Sequence, residues 1–387
     1  MEKWKKILKY PLIWLFALFI FGFALWDILT PSREFSEMEN RMLQQSPPFS
    51  LKSLMAKGEQ AYTRKYEKYI NDQFVLRDGW ITLKSYGESA LGKIENNNVA
   101  FGKDGYLFEK VFSVDEENLS ANLKYMEEFL DKYPDLPVTF SVIPNAYTVL
   151  TEKLPAGFAA VSVDQNQRIG ELYSRLEGKS SHLKLLELSP VLLEHQEEYI
   201  YYRTDHHWTT YGAYLAYGEY VRSLGLEPVP WGELEPHEVE GFYGSFDAKA
   251  KKAGTLPDVI TWFDIPCRVE VNQQPVDFLH DLSRFEVRDK YSGLMHGNQA
   301  LTVLYSQCNQ NQQEGKTSRV LVVKDSYGNS FAPYLCYNFD EVYVVDLRYL
   351  GKMSAVLTDM DLAFDDVLIL YNFMNFTTDT NIPKLRY

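Results

Sequence analysis

Residues 318–331 read SRVLVVKDSYGNSF, an apolar run that ends in a charged, glycine-containing turn. The run is typical of a strand buried on both faces, and FAPYLCYNF at 331–339 continues it as a helix-like segment. Similar apolar runs occur at 137–144 (PVTFSVIP), 183–188 (LKLLEL), 341–347 (EVYVVDL) and 365–372 (DDVLILYN). Helix-patterned segments separate several of these runs. The alternation predicts a mainly parallel sheet with helices on both faces and ligands at the carboxyl ends of its strands.

The composition is that of a folded, acidic protein. The chain has 387 residues, of which 45% are hydrophobic and 24% are charged, and this length can bury a large core. Its 53 Asp and Glu outnumber its 39 Lys and Arg, so the net charge is -14. That charge repels phosphate backbones, and we expect no nucleic-acid partner. Three cysteines, Cys267, Cys308 and Cys336, lack metal-ligand spacing and fit buried thiols, with a Cys267–Cys308 disulfide as the alternative.

The N-terminus predicts a membrane segment. The first nine residues carry four lysines, Lys3, Lys5, Lys6 and Lys9. A span needs roughly 20 apolar residues, and Ile7–Leu29 supplies them if Lys9 and Asp27 reach the two interfaces. The bulky residues that follow do not resemble a signal-peptidase site, which favours an uncleaved anchor over a cleaved signal peptide. The basic flank then stays in the cytoplasm, and the rest of the chain lies outside it.

The chain divides by pattern into three parts. We expect residues 1–30 to form the basic flank and the anchor, 31–95 a linker and helical region, and 96–387 the main domain. Residues 228–315 interrupt the strand–helix alternation with Pro, Gly and short strand-like runs, so we interpret them as an inserted β-rich segment. The aromatic run EYIYY at 198–202 predicts a strand, and the helix after it is expected to begin at Thr209 or Thr210.

The stretch YYRTDHHWTTYGAY at 201–214 concentrates ionisable groups. A metal site is one interpretation of Asp205, His206 and His207, but neighbouring residues reach one ion only if the backbone bends sharply. The other five histidines are scattered, so we expect no metal site. In an extended segment residues two apart point the same way, which places Asp205 and His207 on one face and His206 elsewhere. His207 would then be a catalytic base and Asp205 the carboxylate that orients it.

A nucleophile for this pair is expected at the end of another strand, on a turn before a helix whose N-terminus helps to stabilise an oxyanion. Ser326 in KDSYGNS has this position, whereas Ser330 lies one helical turn further on and is the weaker candidate. A serine after a strand is commonly a helix cap, so the nucleophile interpretation depends on the accompanying Asp-x-His pair. Members of a Ser-His-Asp triad are recognised by their roles and not by their order in the chain.

TDHHWTTYGAY together with VLVVKDSYGNSF resembles the DHHW family of bacterial membrane-anchored proteins, which are related to the SGNH-hydrolase-like alginate O-acetylation proteins. The resemblance extends to ENRML at 39–43, INDQFVLRD at 70–78 and AFGKDGYLF at 100–108. It implies an SGNH/flavodoxin-like, three-layer α/β/α sandwich in circularly permuted order. It also implies that Asp205, His207 and Ser326 are the triad.

The chain departs from the family pattern at two points. The alginate-type proteins that this chain resembles carry a single histidine in the motif. The doubled His206-His207 therefore leaves open which histidine acts. Lys324 stands where a glycine often precedes Asp-Ser, and no clear Gly-x-Asn block supplies an oxyanion donor. The candidate donors are the backbone N–H of Tyr327, Asn145 and the Gly244-Ser245 turn. The substrate-facing candidates are His206, Trp208 and Tyr211, and for Trp208 a packing role fits equally well.

The resemblance implies an extracytoplasmic O-acetyltransferase that acylates a cell-surface polysaccharide through an acyl-serine, without a bound cofactor. Acetyl-CoA is not available outside the cell. The resemblance therefore also implies a partner that relays the acyl group, namely a multi-spanning membrane-bound O-acyltransferase. Two alternatives stay open. One is a carbohydrate acetylesterase with the same triad, in which water is the acceptor. The other is a non-catalytic scaffold or glycan-binding protein of a polysaccharide assembly, which the 27 Tyr and 7 Trp would also suit.

Overall fold

The computed structural model describes residues 9–387, and these form two compact units. The first comprises the chain up to Lys93 together with Lys251–Gly254, and the second comprises Ile94–Ala250 and Thr255–Tyr387. The predicted cytoplasmic lysines, Lys3, Lys5 and Lys6, and the predicted start of the span at Ile7 lie outside the described residues. The division at residues 30 and 95 that the sequence predicts stays a prediction.

The first unit combines a long apolar helix with shorter elements. Helix α1 (Pro11–Leu29) has 19 residues, a mean hydropathy of 2.3 and no buried residue. Within residues 9–387 it is the one helix long and apolar enough to cross a membrane, so it could be a membrane anchor or a signal sequence. The other elements are β1 (Phe35–Ser36), β2 (Arg41–Met42), α2 (Leu51–Met55), α3 (Tyr62–Gln73) and α4 (Arg77–Ala90).

The second unit alternates strands and helices. Its strands are β3 (Glu95–Asn96), β4 (Val99–Phe101), β5 (Leu107–Glu109), β6 (Val138–Ile143), β7 (Leu183–Glu187), β8 (Pro236–Phe242), β9 (Asp258–Phe263), β10 (Cys267–Val271), β11 (Gln274–Val276), β12 (Leu301–Ser306), β13 (Arg319–Lys324), β14 (Glu341–Val345) and β15 (Asp366–Asn372). Its α-helices are α5 (Glu116–Lys132), α6 (Ala146–Val149), α7 (Gln165–Leu176), α8 (Ser189–Glu194), α9 (Thr210–Ser223), α10 (Ser245–Ala250), α11 (Gly328–Phe331), α12 (Ser354–Leu357) and α13 (Phe373–Thr378).

A central sheet of eight strands, in the order β11-β10-β12-β14-β13-β15-β6-β7, organises this unit. The neighbours from β14 to β7 run parallel, whereas β12, β10 and β11 join antiparallel beyond β14. Val320 and Val322 of β13 face one hydrophobic core, and Leu321 and Val323 face the other. Helix α9 covers the first core, and α5 and α7 cover the second. The predicted α/β fold with helices on both faces of a central sheet is therefore confirmed, while the circular permutation stays a prediction.

The segment 228–315, interpreted from the sequence as β-rich, contributes to two sheets. Strands β8 and β9 pair with each other antiparallel and form a separate sheet. Strands β10, β11 and β12 extend the central sheet at its antiparallel edge. The three cysteines are free thiols, and Cys336 is buried whereas Cys267 and Cys308 are partly buried.

The strand predicted at 198–202 is wrong. Residues 198 and 199 lie in bends, residue 200 has no regular structure, and Tyr201 makes a single bridge to Trp208. The N–H groups of Arg203 and Thr204 donate to the buried carboxylate of Asp258 and not to a neighbouring strand. The aromatic pattern arises instead because the loop packs on two sides, with its tyrosines in different hydrophobic clusters. Aromatic side chains that pack on both sides of a loop produce the same sequence pattern as a buried strand.

Candidate active site

The DHHW motif lies in a narrow loop that is closed by backbone hydrogen bonds. The N–H of Tyr202 donates to the carbonyl of His207 at 3.2 Å, and the N–H of Thr209 donates to the carbonyl of Ile200 at 2.9 Å. The Thr209 hydroxyl then accepts the N–H of Gly212 and caps α9, as the sequence predicts. Residues 203–206 consequently form the tip of a loop whose two ends are fixed.

Asp258, at the start of β9, holds this loop from the inside. Its carboxylate is fully buried and accepts four hydrogen bonds, from the Tyr199 hydroxyl (2.5 Å), the Arg203 N–H (2.9 Å), and the Thr204 N–H (2.8 Å) and hydroxyl (2.5 Å). A buried carboxylate is stable only when such donors satisfy it. Asp258 is a site residue that the sequence does not reveal, because nothing at that position of the segment 228–315 indicates that it contacts residues 54 to 59 positions earlier.

Asp205, His207 and Ser326 form one hydrogen-bonded chain. The Nδ1 atom of His207 lies 2.5 Å from Asp205 Oδ1, and its Nε2 atom lies 2.7 Å from Ser326 Oγ. A carboxylate only accepts, so Nδ1 carries the proton that it donates to Asp205, and Nε2 accepts from the Ser326 hydroxyl. Asp205 and His207 are buried, and Ser326 is partly exposed at the turn after β13. This is the order of contacts that a nucleophile, a base and an orienting carboxylate require.

Burial and the neighbouring groups together set the protonation of this pair. Burial, and then the neighbouring His206, lower the pKa of His207 to about 4, although Asp205 opposes the shift. Burial alone would raise the pKa of Asp205, but the two histidines and the hydrogen bonds from His207 and Ser245 lower it overall. At neutral pH His207 is therefore a neutral imidazole beside a carboxylate, which is the state that accepts a proton from a hydroxyl.

The residues around Ser326 fix its backbone. Tyr291 donates its hydroxyl to the Ser326 carbonyl at 3.0 Å, and its ring stacks on the His207 imidazole with a centroid distance of 3.8 Å. The buried Asp325 carboxylate accepts the N–H groups of Tyr327 (2.9 Å) and Asn372 (2.8 Å). The end of β13 is thus tied to the end of β15. Tyr291 could not be predicted from the sequence, because it lies in the irregular segment 228–315.

Position 244 requires glycine because its backbone lies very close to Asp205. A Cβ atom at this position would lie 2.2 Å from the Cβ atom of Asp205, nearer than side-chain atoms can come. The close contact lets the N–H of Ser245 donate to Asp205 Oδ2 at 2.7 Å, while the N–H of Gly244 donates to the Thr204 hydroxyl at 3.0 Å. Both N–H groups of the Gly244-Ser245 turn are occupied, so this turn positions Asp205 and offers no free oxyanion donor.

The two other oxyanion candidates differ in whether their donor group is already used in a hydrogen bond. The N–H of Tyr327 is taken by Asp325, as described above, so it is not a free donor. The side-chain oxygen of Asn145 accepts from Gln165 (2.9 Å) and Asn372 (3.2 Å), which orients its amide group. Its Nδ2 atom has no hydrogen-bond partner among the described residues, and Asn145 lines a cleft of about 530 Å³. Of the predicted donors, the side chain of Asn145 is the one that remains free.

The substrate-facing candidates separate into one that lines this cleft and two that do not. His206 lines it, with its Nδ1 atom 2.7 Å from the Ser245 hydroxyl and its ring against the His207 ring at 3.8 Å. Trp208 is fully buried, and its indole N–H donates to the Tyr327 carbonyl and the Ser330 hydroxyl, so it packs the motif. Tyr211 packs against Trp231 on the first turn of α9 and is not among the residues that line the cleft.

The lining of the cleft is mixed. Aromatic rings, neutral amides, hydroxyl groups and paired charges all contribute, in particular Phe108, Phe112, Tyr147, Phe246, Asn372, Asn375, Ser113 and Lys249. Lys249 pairs with Glu109, and Lys110 with Glu95, so the bordering lysines are neutralised. Such a surface suits a neutral, polar ligand with apolar faces.

Asp205, His206 and His207 each offer a ligand atom within 4.8 Å of the others. In this structure, however, one ring nitrogen of His207 donates to Asp205 and the other accepts from Ser326. A metal ion would have to displace these contacts, because a ligating nitrogen carries no proton. The prediction that the motif binds no metal is unchanged.

Known proteins share this fold. The family model described as DHHW protein matches residues 102–345. A DHHW family protein from Eubacterium siraeum is 22% identical, with a TM-score of 0.60 over 76% of this chain and 96% of that chain. PatB1 from Bacillus cereus is 17% identical, with a TM-score of 0.56 over 73% of this chain and 97% of that chain. The same protein has been solved with a sulfonyl adduct.

A third similarity is weaker. The O-acetyltransferase domain of Pseudomonas putida AlgJ is 14% identical, with a TM-score of 0.46 over 75% of this chain and 98% of that chain. No curated protein matches the chain in sequence. The structures from Eubacterium siraeum and Bacillus cereus agree with the mixed α/β fold described above.

Replacing Gly244 by alanine is expected to disturb the site locally. The added methyl group would collide with Asp205, so the free energy of unfolding should fall by about 1–3 kcal/mol, the usual cost of overpacking. Chemical denaturation of the full chain in detergent measures this change. Gly232→Ala is the matched control, because nothing lies within 4 Å of a Cβ atom there. Equal effects of the two substitutions would contradict the close-approach argument.

His207 is expected to titrate well below the ordinary histidine pKa of 6.5, near 4. Because its pKa is lower in the folded than in the unfolded chain, the free energy of unfolding should decrease as the pH falls from 6.5 towards 4. Nuclear magnetic resonance of labelled histidine side chains measures the pKa, and His207→Gln assigns the signal. A pKa at or above 6.5 would show that burial does not dominate this site.

Proposed function

The chain belongs to the DHHW family, and from this premise we propose that it transfers an acetyl group to a hydroxyl of a cell-surface polysaccharide outside the cytoplasm. The observation that carries the proposal is the Asp205–His207–Ser326 chain, with contacts of 2.5 and 2.7 Å. The fold alone would support many functions, so these three side chains are what favours acyl transfer.

In the proposed reaction Ser326 is the nucleophile. Its Oγ atom attacks the acyl carbonyl carbon while its proton passes to Nε2 of His207, and Asp205 stabilises the imidazolium that forms. The tetrahedral intermediate collapses, the leaving group takes the proton from His207, and an acyl-serine remains. A sugar hydroxyl then attacks the acyl carbon, and His207 accepts the sugar proton and returns it to Ser326. Because the pKa of His207 is lowered, the imidazole is neutral before each attack and can accept a proton.

The developing oxyanion needs donors that are not already used. We assign this role to the Nδ2 amide of Asn145 and to the N–H of Ser326, neither of which has a hydrogen-bond partner among the described residues. Asn372 supports the assignment, because it donates to both Asn145 and Asp325 and so links the amide to the residue before the nucleophile. A donor that is oriented in advance stabilises the transition state without reorganising.

The acceptor is proposed to occupy the cleft beside His206. Its aromatic rings offer apolar contact to the faces of a sugar, and its amides and hydroxyl groups offer hydrogen bonds to the ring substituents. The acyl donor is proposed to come from a multi-spanning membrane-bound O-acyltransferase, because acetyl-CoA does not occur outside the cell. Helix α1 would then be an uncleaved anchor that holds the chain at the membrane, with its N-terminus in the cytoplasm.

The acyl-serine is tested by incubating the full chain in detergent with an activated acetyl ester and measuring intact mass. We expect one acetyl adduct, or ester turnover, in the wild type. Ser326→Ala and His207→Ala should lower the rate by about 10³-fold or more, as for other nucleophile–base pairs. Folding of each variant is checked by circular dichroism and thermal unfolding.

Ser245→Ala is the matched control for this experiment. Both serines lie 2.7 Å from a histidine of the motif, Ser326 from His207 and Ser245 from His206. Because Ser245 holds Asp205 through its backbone N–H, alanine keeps that contact, and the variant should retain the adduct. An adduct that disappears with Ser245→Ala and persists with Ser326→Ala would reverse the assignment.

A second experiment, with a sugar as acceptor, distinguishes a transferase from an esterase and from a glycan-binding protein. The acylated chain is mixed with neutral oligosaccharides, and acetylated sugar is separated from free acetate by mass spectrometry. Acetylated sugar is the expected product. Free acetate whatever the sugar would instead indicate an esterase. Sugar binding that Ser326→Ala leaves unchanged, without any acyl chemistry, would indicate a glycan-binding role.

A further inference from the structure

Helix α4 turns its apolar side outward. At 3.6 residues per turn, the five large exposed apolar and aromatic side chains of the helix and its two flanking leucines fall within an arc of about 140°. The large side chains of this arc are between 39% and 89% exposed, and they are Leu76, Trp80, Leu83, Tyr86 and Leu91. The opposite side is packed, with Ser85 buried and its hydroxyl accepting the N–H of Ala253. A helix whose apolar face points away from its own unit requires another partner for that face.

The start of α4 is attached to the end of α1. The N–H of Val75 donates to the Asp27 carboxylate at 2.9 Å, and the rings of Phe23 and Trp80 lie 5.9 Å apart. The chain just beyond α1 is fixed in the same place, because the guanidinium group of Arg33 contacts Asp78 at 2.6 Å. These contacts place the first turns of α4 beside the last turns of α1.

The length of α1 sets the level at which this junction lies. At 1.5 Å per residue its 19 residues span about 28 Å, close to the roughly 30 Å of a hydrocarbon core. If α1 crosses the bilayer, Asp27 lies at the outer boundary of the hydrocarbon. The arc of α4 then begins at the depth of the lipid headgroups, where tryptophan and tyrosine are preferred.

We infer that α4 lies in the headgroup region of the bilayer that α1 crosses, with the arc from Leu76 to Leu91 in contact with lipid. The proposed occupant of the exposed face is thus the lipid surface. Its continuity with α1 favours this occupant, as do Trp80 and Tyr86 within the arc. Lys84 borders the arc and is exposed, so it can extend to the phosphate level. The inference rests on the membrane-spanning role proposed for α1, and it goes beyond the acyl chemistry.

The test uses a photoreactive benzophenone side chain in the full-length chain, reconstituted into vesicles of phosphatidylcholine and phosphatidylglycerol. Separate proteins carry it at Phe19 in α1, at Leu83 in the arc and at Ser89 on another side of α4. All three positions are exposed, so the substitutions leave the packed side of each helix unchanged. After irradiation, intact mass and lipid analysis identify the adduct. We expect lipid adducts at positions 19 and 83, with about ten-fold less at position 89.

Three results would overturn the inference, and they are distinguishable. Lipid adducts at 19 but not at 83 would reject the contact of α4 and leave the anchor intact. Absence of lipid adducts at 19 would reject the anchor on which the inference rests. In membranes of the producing cells, a protein adduct at 83 in place of a lipid adduct would show that the arc binds a membrane protein. None of these results bears on acylation of Ser326, which the intact-mass experiment measures separately.

Discussion

The carboxylate of Asp258 is the constraint on which the candidate site depends. A buried charge is costly unless donors surround it, and here four donors from residues 199–204 converge on one side chain. Two of those donors are the backbone N–H groups of Arg203 and Thr204, which are therefore not available to pair with a strand. The carboxylate fixes this part of the loop that presents Asp205. Without the carboxylate, each unpaired buried donor would cost about 1–3 kcal/mol.

Asp205 extends this constraint to the next segment of the chain. One carboxylate oxygen receives the ring N–H of His207, and the other receives the backbone N–H of Ser245. Thr204 strengthens the connection, since its hydroxyl donates to Asp258 and accepts from Gly244. The loop 199–207 and the turn before α10 are thereby assembled as one piece. The orientation of the imidazole, and with it the proton on Nδ1, follows from this network and not from the motif alone.

Local patterns predicted the parts of the fold that local forces determine. The apolar run of β13, the cap at Thr209 and the spacing of Asp205 and His207 could all be read from neighbouring residues. The strand predicted at 198–202 failed, because alternating aromatic residues also arise in a loop packed on two sides. Asp258 and Tyr291 could not be predicted, since their contacts join distant positions and nothing around them in sequence indicates a partner. The strand-end position of Ser326 indicated it as the nucleophile for the Asp205–His207 pair, and the family resemblance implied the same three residues.

The sequence leaves open whether His206 or His207 is the base. In the structure the two residues differ in the contacts of their ring nitrogens. Catalysis by a triad requires one nitrogen on the carboxylate and the other on the hydroxyl. His207 meets this requirement, with Nδ1 on Asp205 and Nε2 on Ser326. His206 directs Nδ1 to Ser245, and the same nitrogen is the one 3.5 Å from Asp205, so its carboxylate and hydroxyl contacts compete for one atom. The geometry therefore favours His207 as the base and leaves Nε2 of His206 for a ligand in the cleft.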